Sequence, residues 1–304
     1  MRIATSQFQA TMNRALQDNQ SAIASLTAQI ASQKKIQVPS DDPVTAVRLS
    51  RLAREEAIVG QYRDNISSIK IRLSSNETYL QSMVNDITQS HDQLVWASDG
   101  SNTGEDLKAM VTTMTSLRDS LMYSANQKDQ EGRYLFSGTA TATPAITFTE
   151  NPVPPQRRYE FTGNTDQQQS VVGNGINQTI NVDVKGLDDL LNQMDATITA
   201  LSQPNVSPGD PAVQTALKAN MDGATSALDL ISGKIASFGG AQNVMDTLDG
   251  NHANVSLSNQ TAILDLGSLD MGEATIAMNG YNLALQASYK AYSKISNLSL
   301  FNIL

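Results

Sequence analysis

Apolar residues return at intervals of three, four and seven at both ends of this chain. At the front the row is Met12, Leu16, Ile23, Leu26 and Ile30. At the back Leu264, Met271, Met278, Leu285 and Tyr292 recur every seven residues, with Ala274, Tyr281 and Ile295 on the flanking row. A repeat of this kind is a helical seam that needs another helix to cover it. Chain ends are usually where order fades. Here they carry the most regular apolar pattern in the sequence, which predicts a subunit built to polymerise.

Between the ends the pattern divides the chain further. Helical spacing runs from Thr5 to about Lys34, then Val38-Pro39-Ser40-Asp41-Asp42-Pro43 interrupts it. Pro39 holds Val38 extended, Asp42 is placed to cap, and Pro43 suits the first helical position, where its missing N–H costs nothing. A second helix of about 55 residues, roughly 80 Å long at 1.5 Å per residue, is predicted up to Ser98-Asp99-Gly100. A third runs from about Gly104 to Asn126. From about Ser137 to Lys185 alternation replaces the helical period, in Ile146-Thr147-Phe148-Thr149, Tyr159-Glu160-Phe161 and Ile180-Asn181-Val182-Asp183-Val184. Gly163-Asn164 and Gly173-Asn174-Gly175 read as turns between strands. Helical spacing resumes at Leu187, pauses from Pro204 to Pro211, and continues to Phe238. A tight return is expected at Gly239-Gly240, and then another helix to about Leu264. After Leu266-Gly267-Ser268, Asp270 caps a last helix with Glu273 at the third position, as in a capping box.

The organisation is symmetric about the β segment. This is a mainly α fold: a long antiparallel helical bundle with paired terminal coiled-coil helices and a small inserted β domain.

Composition narrows the function. Of 304 residues 40% are hydrophobic but only 5% aromatic, so the core rests on aliphatic helix packing. A net charge of −9, with no basic run longer than Lys34-Lys35 or Arg157-Arg158, argues against nucleic acid. The chain has no Cys, which excludes disulfides and thiolate metal sites. The first residues lack a continuous apolar region, so no cleaved secretory signal is expected, and no stretch approaches a membrane span.

No catalytic, cofactor-binding or metal site is expected. Asp41 and Asp42 are explained as caps. His91 and His252 lack ligand spacing. No G-x-S-x-G elbow is present, and no Lys-Ser/Thr follows Gly239-Gly240. An enzyme hidden in the β insert would have to work without His or Cys. Met271 and Met278 could form a promiscuous binding face, but they fit a coiled-coil core better.

Four motifs carry a family resemblance. Ala31 to Pro43, ending Pro39-Ser40-Asp41-Asp42-Pro43, resembles the S-T-G-K-R-x-x-x-P-S-D-D-P signature of the flagellin superfamily, in the form of its hook–filament junction members. Met1-Arg2-Ile3-Ala4-Thr5-Ser6 resembles the start of those proteins. Gly132-Arg133-Tyr134-Leu135-Phe136-Ser137-Gly138 resembles their G-R-Y-[IL]-F-[AS]-G motif before the inserted domain. Leu298-Ser299-Leu300-Phe301-Asn302-Ile303-Leu304 resembles their ending. Gln33 departs from the pattern, standing where the family usually has Gly, as do Lys35 and Ile303 for Arg and Tyr.

The resemblance implies three parts. Residues 1–38 and 268–304 would form the inner coiled-coil assembly domain, with Met12, Leu16, Ile23, Leu26, Ile30, Met271, Met278, Leu285, Tyr292, Ile295, Leu298, Leu300 and Phe301 at its interface. Residues 39–136 and 186–267 would form the bundle and residues 137–185 an outer β domain, with Gly132, Arg133, Tyr134, Phe136 and Gly138 at their border. It also implies an extracellular flagellar subunit joining the hook, through hook-associated protein 1, to flagellin, and self-associating in a ring or helical layer. A cytoplasmic chaperone would hold the C-terminal helix before type III export without a cleaved signal. The alternative within the superfamily is a divergent flagellin, the bulk filament subunit. The Pro39 to Pro43 motif and the Gly132 to Gly138 motif favour the junction form, since flagellins typically read D-D-A-A-G at the first.

Overall fold

The computed structural model describes residues 2–153 and 156–301, and the side chains of 7–153 and 156–294. The elements are α1 (Arg2–Ser32), α2 (Pro43–Ala97), α3 (Gly104–Ala125), β1 (Ile146–Phe148), β2 (Tyr159–Phe161), β3 (Gln169–Gly173), β4 (Ile176–Thr179), α4 (Leu187–Leu201), α5 (Pro211–Gly267) and α6 (Met271–Phe301). The fold is mainly α with a small strand region, as the periodicity predicts. The chain divides into two compact units, one of Met1–Gly60 with Ala253–Leu304, the other of Gln61–His252.

The Gln61–His252 unit holds most of the core. On α2, Ile66, Ile69, Leu73, Leu80, Met83, Ile87, Leu94 and Ala97 follow alternating three and four spacing, and all are buried. On α5, Val213, Leu217, Ala224, Ala227, Ile231, Phe238, Ala241 and Met245 do the same. α3 packs on α4, and a capping box starts α3: Thr103 Oγ1 accepts from the Asp106 N–H (3.2 Å), and Asp106 accepts from the Thr103 N–H (2.9 Å).

The expected return at Gly239-Gly240 is corrected: α5 runs unbroken through both glycines. Each glycine in a helix interior costs about 1 kcal/mol relative to Ala. Burial of Phe238 and Ala241 on either side keeps the apolar row in register, and tertiary packing outweighs that propensity cost.

The strands form two antiparallel pairs, β1 with β2 and β3 with β4. The Asn174-Gly175 turn joins the second pair, with Gly175 at φ +71°. The strand expected over 180–184 is also corrected: of its residues only Asp183 makes an isolated bridge, to Ser137. Asn181 is buried and uses its side chain instead. Its Oδ1 accepts from the Gln168 N–H (2.7 Å) and its Nδ2 donates to the Asp166 carbonyl (3.1 Å).

β2 is fixed to α4 by Asn192, whose Oδ1 accepts from the Tyr159 N–H (3.2 Å) while its Nδ2 donates to the Tyr159 carbonyl (2.8 Å). Asp195 adds ion pairs to Arg118 (2.8 Å) and Arg158 (2.7 Å).

Candidate assembly interface

The Met1–Gly60/Ala253–Leu304 unit begins at a helix stop. α1 ends at Ser32, and Gln33 takes φ +57°, the left-handed conformation that commonly closes a helix. Glycine is the usual residue for that conformation, so the family's preference at this position has a backbone reason. Lys34 and Ser268 then pair as an antiparallel bridge. The Lys35 N–H donates to the Gly267 carbonyl (2.8 Å), and the Leu269 N–H donates to the Gln33 carbonyl (3.1 Å). The two segments that interrupt the helical pattern are thus zipped to each other.

The Pro39–Pro43 motif acts locally. Asp41 Oδ2 accepts from the Gln37 N–H (2.9 Å) and the Val38 N–H (3.0 Å). Asp42 caps α2: its Oδ1 accepts from the Thr45 N–H (3.1 Å) and its Oδ2 from the Thr45 hydroxyl (2.6 Å). The Thr45 hydroxyl, and then its N–H, hold the Asp42 carboxyl below the usual carboxylate range. Pro43 is the first residue of α2, and Ser40 is exposed. Asp270 caps α6, accepting from the Gly272 (2.8 Å) and Glu273 (3.0 Å) N–H groups.

α1 and α6 pack on each other. On α1 the half-buried row is Met12, Leu16, Asn19, Ile23, Leu26 and Ile30. On α6 Ala274 is buried, and Met278 and Leu285 are half-buried. Met271, Tyr281 and Tyr292 are exposed, and Leu264 belongs to α5, ahead of the break. Ile295, Leu298, Leu300 and Phe301 lie outside the residues whose side chains are described. Gln20 Nε2 donates to the Tyr289 hydroxyl (3.2 Å) across the pair. None of the described side chains of α1 is fully buried. One partner helix covers the row only halfway.

Two features escaped the sequence reading. Asn19 interrupts the α1 row with a polar side chain; its place three after Leu16 and four before Ile23 was the available signal. On α6, Ile276 and Leu283 are 75% and 69% exposed. They lie seven apart, about 200° around the helix from the Ala274 position, so they form a second apolar line facing away from α1.

In the Gly132–Gly138 segment, Phe136 is wholly buried and Leu135 nearly so. Arg133 pairs with Asp129 (2.9 Å) and Glu131 (2.6 Å), and the Lys128 ammonium lies 4.5 Å from the centre of the Tyr134 ring. Gly132 takes φ +78°. Gly138 has φ +70°, and a Cβ there would lie 2.1 Å from the Asn164 carbonyl oxygen, so only glycine fits.

Among the described residues no group of three or more His, Cys, Asp or Glu is placed to hold a metal. Among them, too, no helix is long and apolar enough to cross a membrane. His252 Nε2 lies 2.8 Å from the Val172 carbonyl oxygen, a contact between α5 and β3.

Comparison with known proteins gives this geometry a family. Residues 3–141 match the bacterial flagellin N-terminal helical region. Flagellar hook-associated protein 3 of Escherichia coli K12 is 25% identical, over 100% of this chain and 99% of its own length. The protein of the same name from Salmonella typhimurium is 26% identical with the same coverage. A solved Vibrio parahaemolyticus structure, described as a flagellar hook-associated protein, is 31% identical with a TM-score of 0.68, covering 75% of this chain and 100% of that one. The chain belongs to the flagellin superfamily, in the family of flagellar hook-associated protein 3.

Proposed function

We propose that this chain is the adaptor at the hook–filament junction, joining hook-associated protein 1 to flagellin by packing of its terminal helices. The observation that carries the reading is the unfinished burial of the α1–α6 pair: a half-covered seam, and beyond it the exposed line of Ile276 and Leu283. Burying a large aliphatic side chain is worth about 1.5–3 kcal/mol. Neighbouring subunits in a layered lattice supply the missing surface, and that gain offsets the cost of ordering the helices.

In this reading residues 1–38 and 268–304 form the assembly domain, residues 39–136 and 186–267 the bundle, and residues 137–185 the outward insert. The interface uses Met12, Leu16, Ile23, Leu26, Ile30, Met271, Met278, Leu285 and Tyr292, continued by Ile295, Leu298, Leu300 and Phe301. Copies associate with each other in a ring or helical layer. Before export through the flagellar channel, a chaperone covers the C-terminal helix. The hook-associated name of the full-length relatives favours the junction over the bulk filament.

The test is complementation of a strain lacking this protein. The variant I276D/L283D is expected to fold, with unchanged helix content, and to leave cells without attached filaments. Normal filament attachment by that variant overturns the assignment of the interface.

A further inference from the structure

A cleft of about 590 Å³ opens in the bundle unit between α2 and the loop that carries the Gly132–Gly138 motif. Its walls include Arg72 and Asn76 from α2 and Lys128, Asp129, Glu131 and Arg133 from the loop. Most of these charges are satisfied. Arg133 pairs with Asp129 and Glu131, and Lys128 sits over the Tyr134 ring.

Arg72 and Asn76 are different. Asn76 stands in the buried α2 row between Leu73 and Leu80 and is wholly buried, yet neither its Nδ2 nor its Oδ1 has a hydrogen-bond partner. A buried amide left unbonded costs a folded protein heavily, and such a group calls for a ligand or a water. Arg72 is half-buried. One terminal nitrogen donates to Gln168 Oε1 (3.1 Å), but its Nε–H is buried without an acceptor. Among the described residues no carboxylate pairs with it. Burial, and then the neighbouring Arg133, make it less basic than an ordinary arginine.

The unmade bonds therefore include two donors, Arg72 Nε–H and Asn76 Nδ2–H, one of them on a cation. The cleft holds three cations against two anions, in a protein whose net charge is −9. Asp129 and Glu131 act on Arg72 from a distance but bond to Arg133, so a neutral ligand would leave the guanidinium without a bonded carboxylate. A carboxylate supplies two acceptor oxygens and the missing negative charge, and arginine forks match that planar group. We propose that this cleft is a binding site for a carboxylate, held by Arg72 and Asn76. Because the polar atoms of Asn76 are shielded, its amide must swing toward the cleft as the ligand enters. The carboxylate has two possible sources, an acidic side chain of a second copy of this chain or a free organic acid.

The test uses the full-length, isotope-labelled protein and sodium glutarate at constant ionic strength. The Arg72 Nε–H and Asn76 side-chain amide resonances are expected to shift saturably with glutarate and not with sodium chloride. R72Q is expected to weaken the response more than tenfold, and R72K, which keeps the charge but not the fork, to weaken it less. An unchanged Trp96 indole resonance reports that each variant is folded. Absence of a saturable shift in the wild type, or the same shift in R72Q, overturns the proposal and leaves ordered water as the partner of both groups. Sedimentation of wild type and R72Q separates the sources. Weaker self-association of R72Q identifies a second copy; unchanged self-association of R72Q, beside glutarate binding by the wild type that R72Q loses, identifies a free acid, and the site stands in either case.

Discussion

The Lys35 N–H donates to the Gly267 carbonyl at 2.8 Å, so the segment leaving α1 is tied to the segment entering α6. Asp42 caps α2 on one side of this tie and Asp270 caps α6 on the other. The two helix breaks, far apart in sequence, form one local structure.

Gln33 holds this structure at a cost. A non-glycine residue in the left-handed region costs roughly 1–2 kcal/mol, while glycine in the unfolded chain gives back part of that through its greater freedom. Q33G is expected to stabilise the junction by about 0.5–1 kcal/mol. Slower hydrogen exchange at the Lys35 and Leu269 amides would register it; faster exchange would show that Gln33 is not strained at φ +57°.

The Asp42 cap is expected to fail in acid. Its carboxyl is held below the usual range by the Thr45 hydroxyl and then the Thr45 N–H. A depressed carboxylate stabilises the fold above its unfolded value of about 3.9 and loses that contribution as pH falls through the folded value. Protection at the Thr45 amide, relative to its intrinsic exchange rate at each pH, should therefore be lost only in acid below the usual carboxylate range in the wild type. In D42A that protection should already be missing at neutral pH. Protection at Thr45 that persists in D42A would contradict the cap.

Asp195 is the carboxylate shared by Arg118 and Arg158, and its side chain is 13% exposed. Removing it leaves Arg118, whose side chain is 16% exposed, with only the more exposed Asp119 as its ion-pair partner. D195A should lower the stability of the bundle unit by about 2 kcal/mol, read from urea unfolding. The loss should be greater than for R158A, because Arg158 is more exposed and its charge better screened.

Charge placed on the seam should separate pairing from folding. L285D puts a carboxylate against α1 and is expected to release the α1–α6 pair. The core around Leu80, Met83 and Ile231 should stay intact. Amide exchange across residues 12–30, compared with residues 66–97, would measure this. Simultaneous loss of protection in both regions would contradict it.

The architecture was legible where side chains announce a helix start or repeat strictly. Pro43 and the Leu73, Leu80, Ile87, Leu94 row placed α2 within a residue or two. Spacing did not disclose what outweighs a local preference. Gly239-Gly240 looks like a turn, and only the burial of Phe238 and Ala241 keeps it helical. Ile180 to Val184 alternates like a strand, yet Asn181 spends its amide on the neighbouring backbone and replaces the ladder. Of the α1–α6 pair, periodicity marked the half-buried Met12, Leu16, Ile23, Leu26 and Ile30, but it marked the exposed Met271 and Tyr292 as well. It did not locate Ile276 and Leu283, because a repeat marks a face and not what covers it. The unbonded Asn76 was equally hidden, since a polar residue in an apolar row carries no record of its partners.

The central claim is that the terminal helices complete their burial only among other subunits. Hydrogen exchange over residues 12–30 and 271–292, compared between the isolated protein and flagella that contain it, tests this most directly. The account predicts rapid exchange there in the isolated chain, well ahead of the buried α2 row, and strong protection after incorporation. Equal protection of those segments in the isolated chain and in flagella would contradict it.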